Sequence, residues 1–415
     1  MKSGLTFLIA ARRCEINDLE QLTRTSALSK VVGRLVHALQ KERGISNVYL
    51  ASKGARFAVQ LKQQILECTE VEAELRASFD HLDTAAGHLG NGARLFSRIA
   101  YVLHGLDGLP DLRQRISSLK LSPPEATAAF VSLIAGLLAV VFEAADSATN
   151  PEISKLLVAM FNFMQGKEFS GQERAFGSAT FAAGRIDPES QQQWVHLIQS
   201  QERCVQVFTD FSTPQLRELW QNCQSPEMLA ELERLRRIAC SVSAGGLDSN
   251  LSQTWFDCCT RRIDAMKTVE DQLAADLLKL CGVKIAQARE ELHDQQIIVE
   301  ALTSTAQAAA TGPSGRLDEA APPYGHHLGR SILDMVQDQA SRLQAMSDEL
   351  ETVRASLNER KLVERAKGLL MAHRKLSEED AYKMLRQTAM SQNKRLADVA
   401  EAVLAMSDYL SSDTP

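Results

Sequence analysis

Three arginines stand where the surrounding pattern asks for apolar side chains. Val32, Val36, Leu39, Arg43, Ser46 and Leu50 follow one another at three- and four-residue steps, so a helix through this run carries Arg43 on its apolar stripe. A guanidinium keeps its proton, and burying it requires a carboxylate, carbonyl groups or a bound anion. Two outcomes fit: an Arg–Glu pair between helices, or a pocket for a small anion. Arg174, in GQERAFGS, stands one helical turn past Gly171 and near Ala175 and Ser178, small residues that let backbones approach and leave space beside a side chain. Arg236, in AELERLRRIA, follows Leu232 by one turn, with Leu229 and Ala239 flanking it and Glu233 as a ready ion-pair partner.

A second charged feature lies near the other end. Residues 360–395 hold ten Lys or Arg against four Asp or Glu, a net of +6 on a chain whose total is −6. A basic module on an acidic protein marks either a polyanion partner, usually nucleic acid, or a solvated helix face. The stretch 360–410 divides into three short amphipathic helices. The second opens at Ser377, where the S-x-x-D run to Asp380 forms a cap, and aligns Ala381, Tyr382, Leu385 and Ala389. The third aligns Leu396, Val399, Ala400, Val403 and Leu410. Lys394 and Arg395 precede it, where cations oppose the helix dipole, a placement that suits an anion partner better than helix stability.

Helices must position these groups. In the first 300 of the 415 residues no long alternating strand pattern occurs, and turn clusters at 87–92, 104–111, 122–124, 147–151, 184–188, 212–214, 224–226 and 243–250 leave around eight segments of bundle-helix length. From Ser252 to Ala301 no proline intervenes, which allows a helix of about 75 Å at 1.5 Å per residue. The Ala/Gly/Pro-rich run at 303–328 reads as a linker. Beyond it Val336, Leu343, Met346, Leu350, Val353 and Leu357 form a heptad seam interrupted at Gln339, suited to dimerisation or to packing within the chain.

Several function classes fall away. The eight cysteines contain no C-x-x-C and are read as reduced residues of a cytoplasmic protein without a metal site. No nucleophile–base constellation, metal-ligand cluster or phosphate-cradling glycine loop occurs, so the expectation is a non-enzyme with no cofactor. Residues 126–142 carry no charge and approach the length of a membrane span, but Ser132, Gly136 and the lack of flanking basic or aromatic anchors favour a buried core helix. A DNA-binding regulator is the main alternative for the basic module. Against it, the turn lacks a glycine and no basic residue follows Arg395 on the last helix.

The runs RKLVERAKGLLM, SEEDAYKMLRQTAM and RLADVAEAVL resemble the ANTAR domain of bacterial transcription antitermination regulators. The resemblance implies binding to paired hairpins in leader mRNA, which prevents a terminator from forming, with loop bases read in single-stranded form. Arg360, Lys367, Arg386, Lys394 and Arg395 would then position phosphates. The runs LVHALQKERGISNVYLAS (35–52), KEFSGQERAFGSATFAAG (167–184) and TWFDCCTRRIDAMKTVEDQL (254–273) resemble the nitrate- and nitrite-sensing NIT domain. That family implies an all-α double bundle that holds a small oxyanion between helices through arginines, here Arg43, Arg174 and Arg236, with Arg237 adjoining the last. Planar nitrate suits the planar paired donors of guanidinium. Together the resemblances imply a one-component antiterminator of nitrate-assimilation genes, homodimeric, with nitrate or nitrite as ligand. Its expected parts are a sensor at 1–303, a linker at 304–328, a coiled-coil helix at 329–358 and an RNA-binding domain at 359–415.

Overall fold

Five helices of this chain start on one local device, a side chain that caps followed by proline. Ser122–Pro123, Asn150–Pro151, Asp187–Pro188, Thr213–Pro214 and Ser225–Pro226 each place an oxygen to accept an orphan amide of the first turn, while the proline has no amide to leave unpaired. At Ser122 the cap is reciprocal, because its own amide donates to Glu125 Oε2 at 2.8 Å.

A computed structural model of the chain describes residues 4–82, 92–241, 246–310, 324–374, 376, 378–392 and 394–410, and all regular structure among them is α-helical. The helices are α1 (Gly4–Ala51), α2 (Ala58–Asp80), α3 (Gly92–Asp107), α4 (Leu109–Ser117), α5 (Pro123–Ser147), α6 (Pro151–Ala183) and α7 (Pro188–Phe211), followed by α8 (Pro214–Asn222), α9 (Pro226–Ser241), α10 (Leu251–Ala310), α11 (Tyr324–Arg374), α12 (Glu378–Gln392) and α13 (Leu396–Leu410). The chain divides into two compact units, Met1–Gln339 and Ala340–Pro415.

In the first unit α1 to α5 pack together as one bundle and α6 to α10 as another. The bundles share walls where α1 meets α10 and α6, and where α5 meets α6. This is the expected double bundle. α6 is buried on nearly every side, including Lys167, Glu168, Ser170, Glu173 and Arg174. One end is pinned by Phe181, Trp194 and Trp255, which meet at centroid distances of 5.0 to 6.0 Å. α5 is the one helix among the described residues long and apolar enough to cross a membrane. More than half of its apolar window is buried inside the chain, as a core helix requires.

The expected turns at 104–111, 122–124, 147–151, 184–188, 212–214 and 224–226 recur between the helices, with one addition, while 87–91 and 243–245 of the other two lie outside the described residues. The bend between α1 and α2 runs through Lys53, Gly54 and Phe57 at positive φ, and only its glycine advertises it in sequence. α10 continues to Ala310, past the expected end at Ala301, and α11 begins at Tyr324. The centre of the expected linker, 311–323, lies outside the described residues, as does Ser377 with its expected cap.

The second unit is a small bundle around Ala366, Leu370, Ala381, Leu385, Ala389, Val399 and Ala400, with Leu362, Val363, Met384, Leu396 and Val403 packed against them. Along α11, Leu350, Val353 and Leu357 of the heptad seam are buried within the single chain, whereas Leu343 is exposed.

Candidate functional site

One turn and a half of α6 carries the charged chemistry. Its period of 3.6 residues sends Glu168, Gly171 and Arg174 toward α1, and Ser170 and Glu173 toward α7 and α9. Two buried networks result.

On the α1 side, Glu168 accepts from Arg43 Nη1 at 2.5 Å and from Arg43 Nη2 at 3.2 Å, a bidentate pair in which both side chains are about 98% buried. Gln40 Nε2 and Gln172 Nε2 donate to the same carboxylate at 2.9 and 3.0 Å. Arg174 stands beside this pair, bonded only to neutral acceptors: Nη1 donates to Thr260 Oγ1 and Nη2 to the Gln40 carbonyl, both at 3.0 Å. Its guanidinium also lies 5.0 Å from the Phe256 ring centroid. Among the described residues it has no carboxylate within ion-pair distance. Burial, reinforced by the Arg43 charge, pulls its pKa down to about 10. The crossing depends on two glycines. A Cβ at Gly44 would sit 2.7 Å from Arg174 Nη2, and one at Gly171 would collide with Arg43 Nη2, so each guanidinium rests on the other helix's glycine.

On the other side Glu173 accepts from Arg236 Nε at 2.8 Å and Nη2 at 2.6 Å, from Trp194 Nε1 at 2.9 Å and from Gln201 Nε2 at 2.7 Å. Burial pushes the Glu173 carboxyl up, but Arg236 and these donors outweigh it and hold the group below the usual carboxylate range. Arg236 also pairs with Glu233 at 2.9 Å, as its neighbour in sequence suggested. A fourth buried arginine, Arg262 on α10, bonds to Gln201 Oε1 at 2.6 Å and to Ser170 Oγ at 3.3 Å.

The structure thus brings Arg43 and Arg174 together and places Arg236 in a separate network; Arg43 and Arg236 share no hydrogen-bond partner among the described residues. Arg237 is exposed, whereas Arg236 is buried. Four partners lay beyond the sequence reading: Glu168, Glu173, Gln201 and Arg262. Arg262 was readable, since it lies one turn from both Cys258 and Met266 on the apolar stripe of α10. A further buried pair, Lys167 and Glu270 at 2.5 Å, ties α6 to α10 a turn away.

In the second unit Lys394 and Arg395 are exposed ahead of α13. Arg395 pairs with Asp398 at 2.8 Å and Glu359 at 3.2 Å, exposed pairs of a kind that contributes little to stability. Arg386 is half-buried, and Lys367 is buried with Nζ 6.0 Å from the Tyr382 ring centroid. The Arg360 side chain lies outside the described residues.

Arginines without a carboxylate, held dry between helices, can neutralise a small monoanion. No cluster of metal-ligating side chains occurs among the described residues. Comparison with known proteins agrees with this chemistry. Residues 34–278 match the family described as nitrate and nitrite sensing, NIT, and residues 351–404 match the ANTAR domain. The chain is 32% identical over 397 residues to the nitrate regulatory protein of Klebsiella oxytoca, an alignment covering 95% of this chain and 93% of that protein. A stretch of 72 residues, 17% of this chain and 35% of the relative, is 36% identical to the transcriptional regulatory protein PdtaR of Mycobacterium tuberculosis. The solved structure of the NasR transcription antiterminator superposes with a TM-score of 0.63 at 31% identity, covering 97% of this chain and 98% of the other. With a sensor-family match across more than half its length and an ANTAR match beyond it, the chain belongs to the nitrate- and nitrite-sensing NIT family, as a regulator of the NasR type.

Proposed function

We propose that this chain is a cytoplasmic, nitrate- or nitrite-responsive antiterminator, in which the anion binds at Arg43 and Arg174, with Arg236 in the adjoining network, and frees the ANTAR domain to bind paired hairpins of leader mRNA. The observation that carries the reading is Arg174, a guanidinium 97% buried with no carboxylate partner among the described residues and an unpartnered Nε. Arg43, Arg174 and Glu168 together hold one uncompensated positive charge. A monoanion neutralises it; a dianion such as sulfate overshoots and keeps its desolvation cost.

Glu168 matters to the switch. It grips Arg43 with two oxygens in the geometry nitrate would use, so anion entry redistributes the bonds among Arg43, Arg174, Gln40 and Glu168. These groups belong to α1 and α6, and Arg174 also bonds Thr260 on α10. A different arrangement of the three helices, favoured by the anion only to the extent that it binds that state more tightly, is the signal carried along α10. Lys394 and Arg395, with Arg360, Arg386 and Lys367, serve phosphates, and the exposed Leu343 end of the seam serves self-association.

The test is a titration of nitrate, nitrite, chloride and sulfate against binding of a two-hairpin leader RNA, with duplex DNA of the same sequence as competitor. Nitrate and nitrite should raise RNA affinity at least tenfold, sulfate should not, and DNA should not compete. RNA binding that ignores all four anions, or DNA that competes equally, refutes the reading.

A further inference from the structure

The network on the α7 side repeats the feature that marks Arg174. Arg262 is 92% buried, and among the described residues its Nε has no partner and neither of the groups it bonds is a carboxylate. Glu173 is already shared among Arg236, Trp194 and Gln201, and Glu233, 59% exposed on the rim, pairs with Arg236. Burial and the Arg236 charge lower the Arg262 pKa, as they do for an arginine short of a counter-ion.

Three donors converge on one neutral atom. Gln201 Oε1 faces Arg262 Nη1 at 2.6 Å, Ser170 Oγ at 2.8 Å and Arg236 Nη2 at 3.3 Å. An amide oxygen has two lone pairs and only a partial negative charge, so this atom stands where a small anion would be better matched. Gln201 lies on α7 with its Nε2 bonded to Glu173. Rotation of that one side chain leaves two guanidiniums and a hydroxyl aimed at the vacated position.

We propose that Arg262, Ser170 and Arg236 form a second monoanion site on the α7 side of α6, taking nitrate or nitrite in exchange for the Gln201 amide oxygen, so that one chain binds two anions. The inference rests on the reading of unpaired arginines as anion ligands, and the two sites are separable: the first needs Arg174 and the second needs Arg262. Arg174 bonds Thr260 and the Gln40 carbonyl whereas Ser170 bonds Gln201, so the two sites on α6 share no hydrogen-bond partner among the described residues.

Equilibrium dialysis of the full chain against isotopically labelled nitrate decides the matter, with folding of each variant checked by circular dichroism. The intact chain should bind two nitrates, and Arg262→Gln and Arg174→Gln one each. Arg262→Lys, which keeps the charge but not the fork, should keep two with the second weakened at least tenfold. One nitrate on the intact chain, lost in Arg174→Gln and kept in Arg262→Gln, overturns the second site and leaves the first standing. One nitrate kept in Arg174→Gln and lost in Arg262→Gln overturns both the two-site count and the assignment of the first site.

Discussion

Replacing Arg174 by methionine should behave unlike an ordinary core substitution. Burial and the neighbouring Arg43 lower its pKa from the usual arginine range to about 10, which corresponds to a penalty of about 3 kcal/mol for carrying the charge in the folded chain. Removing the guanidinium removes that penalty. Against it stand two hydrogen bonds, to Thr260 and to the Gln40 carbonyl, at about 1 kcal/mol each, and a contact with the Phe256 ring of about the same size. The opposing effects nearly cancel, so without nitrate Arg174→Met should lie within about 1 kcal/mol of the parent. Arg43→Met removes the one cation paired with Glu168 among the described residues and leaves a buried carboxylate, at a cost of about 3–5 kcal/mol. All three tryptophans, Trp194, Trp220 and Trp255, lie in the sensor unit, so their fluorescence during urea unfolding reports that unit alone. Nitrate at one hundred times its dissociation constant should stabilise the parent by about 2.7 kcal/mol over chloride at equal ionic strength and leave Arg174→Met unmoved. An Arg174→Met variant as unstable as Arg43→Met makes Arg174 a structural residue. Full nitrate stabilisation of that variant places the anion elsewhere.

Glu168→Gln removes the carboxylate that neutralises Arg43, so it should lose about 3–5 kcal/mol in chloride and regain more on adding nitrate than the parent does; equal nitrate effects in the two proteins would separate Glu168 from the site. His37 should make the sensor acid-sensitive. Burial first, then Lys167, Lys41, Lys267 and Arg174, lower its pKa to about 2, and Asp264, 3.9 Å away and half exposed, does not offset them. The unfolded chain therefore takes up a proton below the ordinary 6.5 that the folded chain refuses, and stability falls with acidification by up to about 1.4 kcal/mol per pH unit. His37→Gln should flatten that slope between pH 6.5 and 5, and an unchanged slope would acquit His37. Lys394→Ala should weaken leader RNA binding uniformly and reduce the slope of log affinity against log salt by about 0.7 to 0.9; a change confined to particular loop sequences would mean that Lys394 reads bases.

The fold was legible because its punctuation is local. Among the described residues each Ser, Asn, Asp or Thr before proline announces a helix start, and the structure uses all five. The bend after Ala51 was not announced, because two of its three left-handed residues, Lys53 and Phe57, are types that seldom adopt that conformation. For the site, sequence could point Arg43, Arg174 and Arg236 inward, since periodicity fixes a face. Apart from Glu233 beside Arg236 it could not choose their partners, because Glu168 and Glu173 sit five residues apart on a helix buried all round, where every face meets another helix. Which glutamate met which arginine is a matter of tertiary crossing. The outcome separates arginines that are paired, Arg43 and Arg236, from arginines that are not, Arg174 and Arg262. No pattern along the chain carries that distinction. The heptad seam shows the same limit: its periodicity is real, but Leu350, Val353 and Leu357 are buried within one chain while Leu343 is exposed.

The central claim is that a monoanion sits beside the unpaired guanidinium of Arg174, and a crystal structure of the full chain grown in nitrate tests it most directly. The account predicts planar density with two oxygens about 2.7–2.9 Å from guanidinium nitrogens of Arg174 and Arg43, with the Glu168 carboxylate shifted from its bidentate grip. Nitrate bound elsewhere, with the Arg43–Glu168 pair and the Arg174 bonds to Thr260 and Gln40 unchanged, contradicts it.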